Sequence, residues 1–265
     1  MIAPSSAGES GGGTVPDAAP GDDFTLDGLL GGGVRLLQPR RGYRVAIDPV
    51  MLAAAVPAHA GDTVLDLGCG VGAAALCLAR RVADVTLVGL EIQPELVELA
   101  RRNAVLNRIA ERFTVHAGDL MAPPAALTAM RFDHVMANPP FRAAAGADPS
   151  PIRSKATATV EGAATLAHWL AACFGFLRPG GCVTLIHSPD RLHEIETCLA
   201  AEPGAMDVLA LHPKAGAAPK RVIVRFRPRR PPARRMLAAL VLHESDGRYT
   251  PETERILRAG MALPD

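Results

Sequence analysis

A strand that runs directly into a glycine-rich turn constrains this chain more than any other feature. The segment Thr63-Val-Leu-Asp-Leu67 reads as a strand, and Gly68-Cys-Gly-Val-Gly72 follows it, before an apolar helical pattern that continues through Val82. Glycines are needed where the backbone turns sharply and where a ligand comes too close for a Cβ atom. In a doubly wound sheet such a turn lies at the carboxyl edge, where these folds bind their ligands.

Strand-like and helical segments alternate along the rest of the chain. A helix with proline in its first turn begins at Gln93-Pro94, another extends from about Glu161 to Leu177, and a third runs from Asp190 to about Ala201. Apolar strand-like segments separate these helices and continue to about residue 242. Such alternation predicts an α/β fold with a Rossmann-like, doubly wound sheet that is mostly parallel and seven-stranded.

The first 23 residues differ in composition from the rest. Fifteen of them are Gly, Pro, Ser or Ala, so they bury too little apolar surface to offset the entropy cost of ordering, and we expect a disordered tail. Residues 24–60 are expected to form an N-terminal cap over the ligand site, and residues 61–265 the α/β domain. The chain contains neither a run of about 20 apolar residues nor a secretory signal, so we expect a cytoplasmic protein.

Acidic residues follow three successive strands of the pattern. Asp66 lies two residues before the first glycine, Glu91 ends the next strand, and Asp119 follows the third. A carboxylate at Asp66 repels a pyrophosphate but suits a ligand that carries an amine and a sulfonium. Glu91 can accept both hydroxyls of a ribose, and Asp119 can accept from an adenine amino group. The pattern favours S-adenosylmethionine over NAD, although the glycine spacing also satisfies the dinucleotide fingerprint.

The tetrapeptide Asn138-Pro139-Pro140-Phe141 leaves the fourth strand at the same edge as the glycine turn. An exocyclic amine conjugated to a ring is a weak nucleophile because its lone pair is delocalised. The Asn138 side-chain oxygen and the Pro139 carbonyl can accept its two N–H bonds, which orients the lone pair without a strong base. Phe141 offers a face for stacking a planar base. Asn138, Pro139 and Phe141 are therefore the candidate catalytic residues.

With these motifs, the chain resembles the class I S-adenosylmethionine-dependent methyltransferases that carry an Asn-Pro-Pro-aromatic signature. Within them it is similar to the bacterial valine-tRNA adenine-N6 methyltransferase family, over roughly residues 34 to 258. The resemblance implies a methyltransferase domain at 61–265 and, as target, an adenine near the anticodon of a tRNA. The cofactor-binding residues that it implies are Asp66, Gly68, Gly70, Glu91, Asp119, Tyr43 and Asp48. Asp48 also precedes Pro49 and an apolar helix, so its alternative role is that of a helix N-cap.

The net charge of +1 conceals a local imbalance. Residues 208–243 contain nine basic side chains and no acidic one, and the arginines between 35 and 44 form a second acid-free island. If both islands flank the catalytic edge, they can hold the phosphates of a folded RNA; the alternative is a solvated, basic loop. The candidate RNA-binding residues are Arg40, Arg41, Arg44, Lys220, Arg221, Arg229 and Arg230.

The remaining reactive side chains lack a supporting pattern. The five cysteines contain no C-x-x-C pair and the eight histidines have no metal-ligand spacing, so no metal site is expected. Cys69 lies in the glycine turn without an evident basic partner and is interpreted as a small filler residue. Trp169 is interpreted as a structural residue.

Other functions stay open on the sequence alone. A protein glutamine N5-methyltransferase faces the same chemical problem with an amide nitrogen, and a guanine-N2 RNA methyltransferase is not separable by motif. From a different class, a non-catalytic RNA-binding module could retain a vestigial cofactor fold. An NAD dehydrogenase is least favoured, because no His, Tyr or Lys is convincingly placed to carry a proton beside a nicotinamide. The sequence does not indicate an oligomeric state.

Overall fold

The computed structural model describes residues 23–41, 44–141 and 162–263 of the chain. Within them a large sheet occupies the centre and a two-stranded antiparallel hairpin, β1 (Phe24–Leu29) and β2 (Val34–Pro39), lies beside it. The strands of the large sheet are β3 (Thr63–Leu67), β4 (Thr86–Glu91), β5 (Phe113–Ala117), β6 (Phe132–Ala137), β7 (Leu177–His187), β8 (Gly204–Lys214), β9 (Arg221–Pro228), β10 (Ala233–Met236) and β11 (Leu240–His243).

The strand order is β10-β8-β9-β7-β6-β3-β4-β5, and β11 also pairs with β8. Strands β3 to β7 are parallel, whereas β9 runs antiparallel between β7 and β8. The mostly parallel α/β sheet is thus confirmed. The count of seven strands is wrong, since the sheet has nine. The exposed segment Ala233–Met236 lacks the apolar alternation that indicates a strand in the sequence.

The helices are α1 (Asp48–Ala55), α2 (Ala73–Arg81), α3 (Pro94–Leu106), the single turn α4 (Ala125–Thr128), α5 (Leu166–Phe176), α6 (Leu192–Leu199) and α7 (Pro251–Ala259). Proline occupies the first position of α3, as predicted. Helix α5 begins later than expected, at a capping box formed by Thr165 and His168. The side chain of each residue accepts a hydrogen bond from the backbone N–H of the other. It also ends one residue earlier, because Leu177 already belongs to β7.

Helices pack on both faces of the sheet. Alternate residues of β3 point to opposite sides, so Val64 joins a core that includes α1, α2 and α3, while Leu65 and Leu67 join a core with α5 and α6. This is the doubly wound arrangement expected from the alternation of strands and helices. Helix α1, from the predicted cap segment 24–60, belongs to the first core rather than to a separate unit. Among the described helices, none is long and apolar enough to cross a membrane.

Two asparagines, Asn103 in α3 and Asn107 at its C-cap, tie the hairpin to this helix. Leu37 of β2 donates its backbone N–H to Asn103 Oδ1 at 2.7 Å, and Asn103 Nδ2 donates to the Leu37 carbonyl at 2.9 Å. Asn107, one turn later, makes the same pair of bonds with Arg35. Asn103 is fully buried and also donates to the carbonyl of Val71. One side chain therefore links the hairpin, α3 and the glycine turn.

Candidate functional site

The glycine turn after β3 adopts backbone conformations that other residues avoid. Gly68 has φ +73° and Gly72 has φ +83°. A Cβ on Gly68 would lie 2.5 Å from Cη2 of Trp169, and one on Gly72 would lie 2.8 Å from Cε1 of Phe113. Positive φ and close packing therefore both require glycine at these positions. The turn leads into α2 and leaves an open cavity at the carboxyl edge of the sheet.

Glu91 at the end of β4 holds the turn in place. Its Oε2 accepts the N–H of Gly70 at 2.9 Å, and its Oε1 accepts the N–H of Gln93 at 2.9 Å. Burial raises the pKa of Glu91, and these backbone hydrogen bonds oppose that shift. The carboxylate thus connects the glycine turn to the start of α3 while facing the cavity.

Asp66 is a buried carboxylate that lacks a complete set of partners. Its Oδ2 is enclosed and accepts no hydrogen bond from the part of the chain that the structure describes. Burial, together with the nearby charge of Glu91, raises the pKa of Asp66 to about 7, although the backbone N–H of Ala75 opposes the shift. Two adjoining acidic groups with an unused acceptor suit a cationic ligand.

These features belong to one cavity of about 230 Å³. Six of the residues expected from the sequence line it: Asp66, Gly68, Gly70, Glu91, Asp119 and Asn138. From the predicted cap segment, the lining residues are Pro39, Val45, Pro49 and Leu52. Asp48 is not among the lining residues, and Tyr43 lies outside the described residues. The cavity therefore brings the three acidic residues together with the Asn-Pro-Pro-Phe segment.

Apolar residues that the sequence analysis did not assign to the site complete the cavity wall. Ile92 and Leu120 each directly follow one of the predicted acidic residues. An aliphatic residue in that position after a strand was the sequence signal that could have assigned them to the cavity wall. Trp169 of α5 also lines the cavity, with its ring against Gly68. The interpretation of Trp169 as a structural residue did not place it in this wall, and nothing in its local sequence indicated the contact. Cys69 lines the cavity too; burial raises its pKa well above the usual range and keeps the thiol protonated.

The Asn-Pro-Pro-Phe segment leaves β6 at the same edge. Asn138 lines the cavity, yet its Oδ1 is buried and has no hydrogen-bond partner among the described residues. Pro139 and Pro140 are buried, and Phe141 is partly exposed. Asn138 thus offers an unused acceptor beside the acidic residues. Phe141 lies just beyond Pro140 of the cavity wall, at the last residue described before position 162.

Asp48 and Arg221 contact each other rather than the partners predicted for them. Arg221, at the start of β9, donates from Nε to Oδ2 of Asp48 at 2.9 Å. Asp48 is the first residue of α1 and not its N-cap, which is Ile47. The central guanidinium carbon of Arg221 lies 4.1 Å from the ring centroid of Phe141. The predicted assignments of Asp48 to the cofactor and of Arg221 to RNA phosphate therefore do not match their contacts.

Acidic residues from outside the acid-free island at 208–243 pair with some of its arginines in the folded chain. Asp207 pairs with Arg227 at 2.9 Å and with Arg235 at 2.6 Å, and Glu196 pairs with Arg234 at 2.9 Å. In the second island, Arg44 pairs with Asp27 at 3.0 Å. Sequence separation hid these partners, so the local excess of positive charge is smaller than the sequence indicated.

Position in the sheet separates the predicted RNA-binding residues into two groups. Pro39 lines the cavity, so Arg40 and Arg41 follow β2 near its mouth, and Lys220 precedes the first residue of β9 at the catalytic edge. Arg229 and Arg230 follow the other end of β9, where Arg229 bonds to Pro203. Eight residues of strand span about 26 Å. The prediction that Arg229 and Arg230 flank the catalytic edge is therefore wrong.

The acidic and apolar groups that line the cavity fit the expected cofactor. S-adenosylmethionine carries an amine and a sulfonium, which match the buried acidic residues and the free acceptor of Asp66, while its adenosine matches Glu91, Asp119 and the apolar wall. No group of three His, Cys, Asp or Glu residues within the described ranges is arranged to hold a metal ion.

Known proteins with the same features were found in three comparisons. The family model "Methyltransferase small domain" matches residues 45–165. The tRNA1(Val) (adenine(37)-N6)-methyltransferase of Cronobacter sakazakii is 31% identical over 219 residues, which cover 80% of this chain and 85% of that protein. The release factor glutamine methyltransferase of Moorella thermoacetica is 31% identical over 156 residues, covering 57% of this chain and 53% of that protein. A solved Agrobacterium tumefaciens structure, described as a predicted O-methyltransferase, has a TM-score of 0.68 at 24% identity. The match covers 82% of this chain and 98% of that chain, so the two share the fold.

Proposed function

This chain belongs to the family of tRNA1(Val) (adenine(37)-N6)-methyltransferases, and we propose that it methylates the exocyclic N6 of an adenine near the anticodon of a tRNA. Membership makes it an S-adenosylmethionine-dependent methyltransferase. One observation carries the assignment of the acceptor site: Asn138 Oδ1 is buried without a partner among the described residues, in the wall that also contains Asp66 and Glu91.

The acidic residues of the cavity would hold the cofactor. S-adenosylmethionine supplies an electrophilic methyl group on a sulfonium. Asp66 provides an unused oxygen for a cationic amine, and Glu91 has acceptor capacity for ribose hydroxyls beyond its two backbone hydrogen bonds. Asp119 would accept from the adenine amino group, with Ile92 and Leu120 as apolar walls for the ring.

Asn138 and Pro139 would orient the acceptor nitrogen. The amino group of adenine has two N–H bonds, which the side-chain oxygen of Asn138 and the carbonyl of Pro139 would accept. Those bonds direct the nitrogen lone pair away from the ring and toward the cofactor. The advantage is orientation and charge stabilisation, since no strong base is required to make this nitrogen react.

Phe141 and the basic residues near the cavity mouth would hold the nucleic acid. An adenine stacked in an RNA loop must leave the stack to reach Asn138. Stacking on the aromatic face of Phe141 would compensate for the lost base stacking with about 1–3 kcal/mol per base. Arg40, Arg41 and Lys220 are the candidate contacts to phosphates at this edge. The proposal includes the cytoplasm as compartment, because its tRNA substrate is there.

The test is transfer of a labelled methyl group from S-adenosylmethionine to bulk tRNA by wild type and by Asn138→Ala. We expect at least a hundredfold lower incorporation by the variant, in line with the loss of a positioning acceptor in a buried site. Cofactor affinity, measured by calorimetry, is expected to change little. Equal incorporation by both proteins contradicts the role of Asn138.

A protein glutamine is the second candidate substrate, favoured by the similarity to the release factor glutamine methyltransferase over 57% of this chain. An amide nitrogen also has two N–H bonds and a delocalised lone pair, so Asn138 could orient it equally well. Labelling a cell lysate with and without ribonuclease separates the two. Label that disappears with ribonuclease supports RNA, whereas a labelled protein band that survives it supports the amide.

A further inference from the structure

Four side chains from different parts of the chain form a continuous set of contacts behind the Asn-Pro-Pro-Phe segment. Asp48 of α1 accepts from Arg221 of β9 at 2.9 Å, and the Arg221 guanidinium lies over the Phe141 ring at 4.1 Å from its centroid. The ring of His187, the last residue of β7, forms a T-shaped pair with Phe141 at 5.4 Å between centroids and 90° between planes. Within the described residues, Phe141 is thus contacted by a guanidinium over its ring and by a second ring perpendicular to its own.

The anchors of Phe141 are themselves fixed. The side chains of Asp48 and Arg221 are 11% and 31% exposed, so their ion pair is largely shielded from water. Arg221 also donates from Nη1 to the carbonyl of Lys220 at 2.8 Å. His187 is fully buried and pairs in register with Val222, the residue next to Arg221. Both contacts to the Phe141 ring therefore come from adjacent strands of the rigid sheet.

The two contacts hold the Phe141 ring, which remains partly exposed. A guanidinium over an aromatic ring is attracted by its quadrupole, and the planar fork of arginine covers the ring better than a lysine ammonium does. Because Arg221 is already paired with Asp48, it is poorly suited to hold an RNA phosphate. The same ion pair keeps the guanidinium plane in place over Phe141.

We propose that Arg221, held by Asp48, is a positioning residue that fixes the ring of Phe141 for contact with the target base. This inference rests on the proposed function, since it assumes that Phe141 contacts the base. It extends that function by assigning a role to two residues, 173 positions apart, that touch neither the cofactor cavity nor the base.

Kinetics with tRNA test whether Arg221 acts through Phe141. We expect Arg221→Met, which keeps an unbranched stem, to lower kcat about tenfold, and Asp48→Asn to act in the same direction. Arg221→Lys should rescue only part of the loss. Cofactor affinity should stay within about twofold of wild type, and in a Phe141→Leu background Arg221→Met should change kcat less than about twofold. Arg258→Met, which removes an exposed ion pair with Glu254, is the matched control and should leave transfer unchanged.

Three kinetic outcomes overturn the proposal. An unchanged kcat in Arg221→Met, or an equal loss in the Phe141→Leu background, shows that the residue does not act through the ring. A higher KM for tRNA with a shallower salt dependence and unchanged kcat shows that Arg221 contacts phosphate instead.

A measurement that needs no activity separates this proposal from the proposed function. The chain has seven phenylalanines, so protein labelled with 4-fluorophenylalanine gives a ¹⁹F spectrum in which Phe141 is assigned by its loss in Phe141→Leu. Arg221→Met and Asp48→Asn should shift the Phe141 resonance, whereas Arg258→Met should not. An unmoved Phe141 resonance overturns the role of Arg221. If wild type transfers no methyl group to tRNA, the proposed function fails, yet the ¹⁹F shift still decides whether Arg221 fixes the ring.

Discussion

The backbone N–H of Gly70 donates to the side chain of Glu91 across 2.9 Å, so the glycine turn after β3 is fixed by the carboxylate that ends β4. A second oxygen of Glu91 accepts from Gln93. In Glu91→Gln, an NH₂ group replaces one of the two carboxylate oxygens. That NH₂ group faces a backbone N–H, which is also a donor, so the two cannot form a hydrogen bond. We expect Glu91→Gln to weaken S-adenosylmethionine binding between about tenfold and a hundredfold.

Calorimetric titration of free protein with S-adenosylmethionine measures the Glu91 effect. Glu95→Gln, an acidic residue in the first turn of α3 with no part in the cavity, is the matched control. Equal affinities of Glu91→Gln and wild type would show that the turn does not depend on this carboxylate.

Asp66 should couple cofactor binding to pH. Burial raises its pKa to about 7 in the free protein, so the carboxyl is about half protonated at neutral pH. A cationic cofactor favours the carboxylate and lowers this pKa, so binding releases a proton. Affinity should therefore rise with pH through about 6 to 8 and then level off.

Calorimetry in two buffers of different ionisation enthalpy counts the protons released by wild type and by Asp66→Asn. We expect proton release near pH 7 in wild type and none from this position in the variant. Identical proton release by both proteins would assign the coupling to another group.

The contact between Gly68 and Trp169 makes two glycines of the same turn unequal. Both Gly68 and Gly70 have positive φ, but only a Cβ on Gly68 meets a neighbour, 2.5 Å from Trp169 Cη2. Both alanine variants share the backbone strain, of about 1–2 kcal/mol. Urea unfolding should show Gly68→Ala less stable than Gly70→Ala, with changed emission from Trp169, the chain's only tryptophan. Equal stabilities would mean that the tryptophan ring moves aside freely.

Asn103 should contribute more to stability than its neighbour Asn107. Asn103 is fully buried and makes three hydrogen bonds to the backbone of Leu37 and Val71. Asn103→Ala leaves those groups unpaired and should lower the free energy of unfolding by about 2–4 kcal/mol. Asn107→Ala, in a more exposed position, should cost about 1 kcal/mol. Urea denaturation of both variants checks this order, and a larger loss in Asn107→Ala contradicts it.

Local sequence was sufficient for the parts of the site that follow from strand topology. The carboxyl ends of parallel strands meet at one edge, so Asp66, Glu91, Asp119 and Asn138 could be expected around one ligand from their positions after successive strands. For the same reason, the position of Asn138 and its two prolines directly after a strand was sufficient to predict a hydrogen-bond acceptor for the substrate at this edge.

Contacts between segments far apart in the chain could not be predicted. Asp48 and Arg221, which form an ion pair, are 173 positions apart. Segment 208–243 contains no acidic residue, but Asp207 and Glu196 pair with its arginines in the folded chain. Trp169 carries no local pattern that distinguishes a core residue from a cavity wall. Long-range packing, which sequence periodicity does not encode, decided each of these cases.

Mass spectrometry of nucleosides identifies the methylated base and the methylated atom together. Unmodified tRNA, made by transcription, is incubated with S-adenosylmethionine and either wild type or Asn138→Ala, digested, and compared with nucleoside standards. We expect N6-methyladenosine with wild type and at least a hundredfold less with Asn138→Ala. Methylguanosine in place of N6-methyladenosine, or no methylated nucleoside at all from a wild-type protein that binds S-adenosylmethionine, would contradict it.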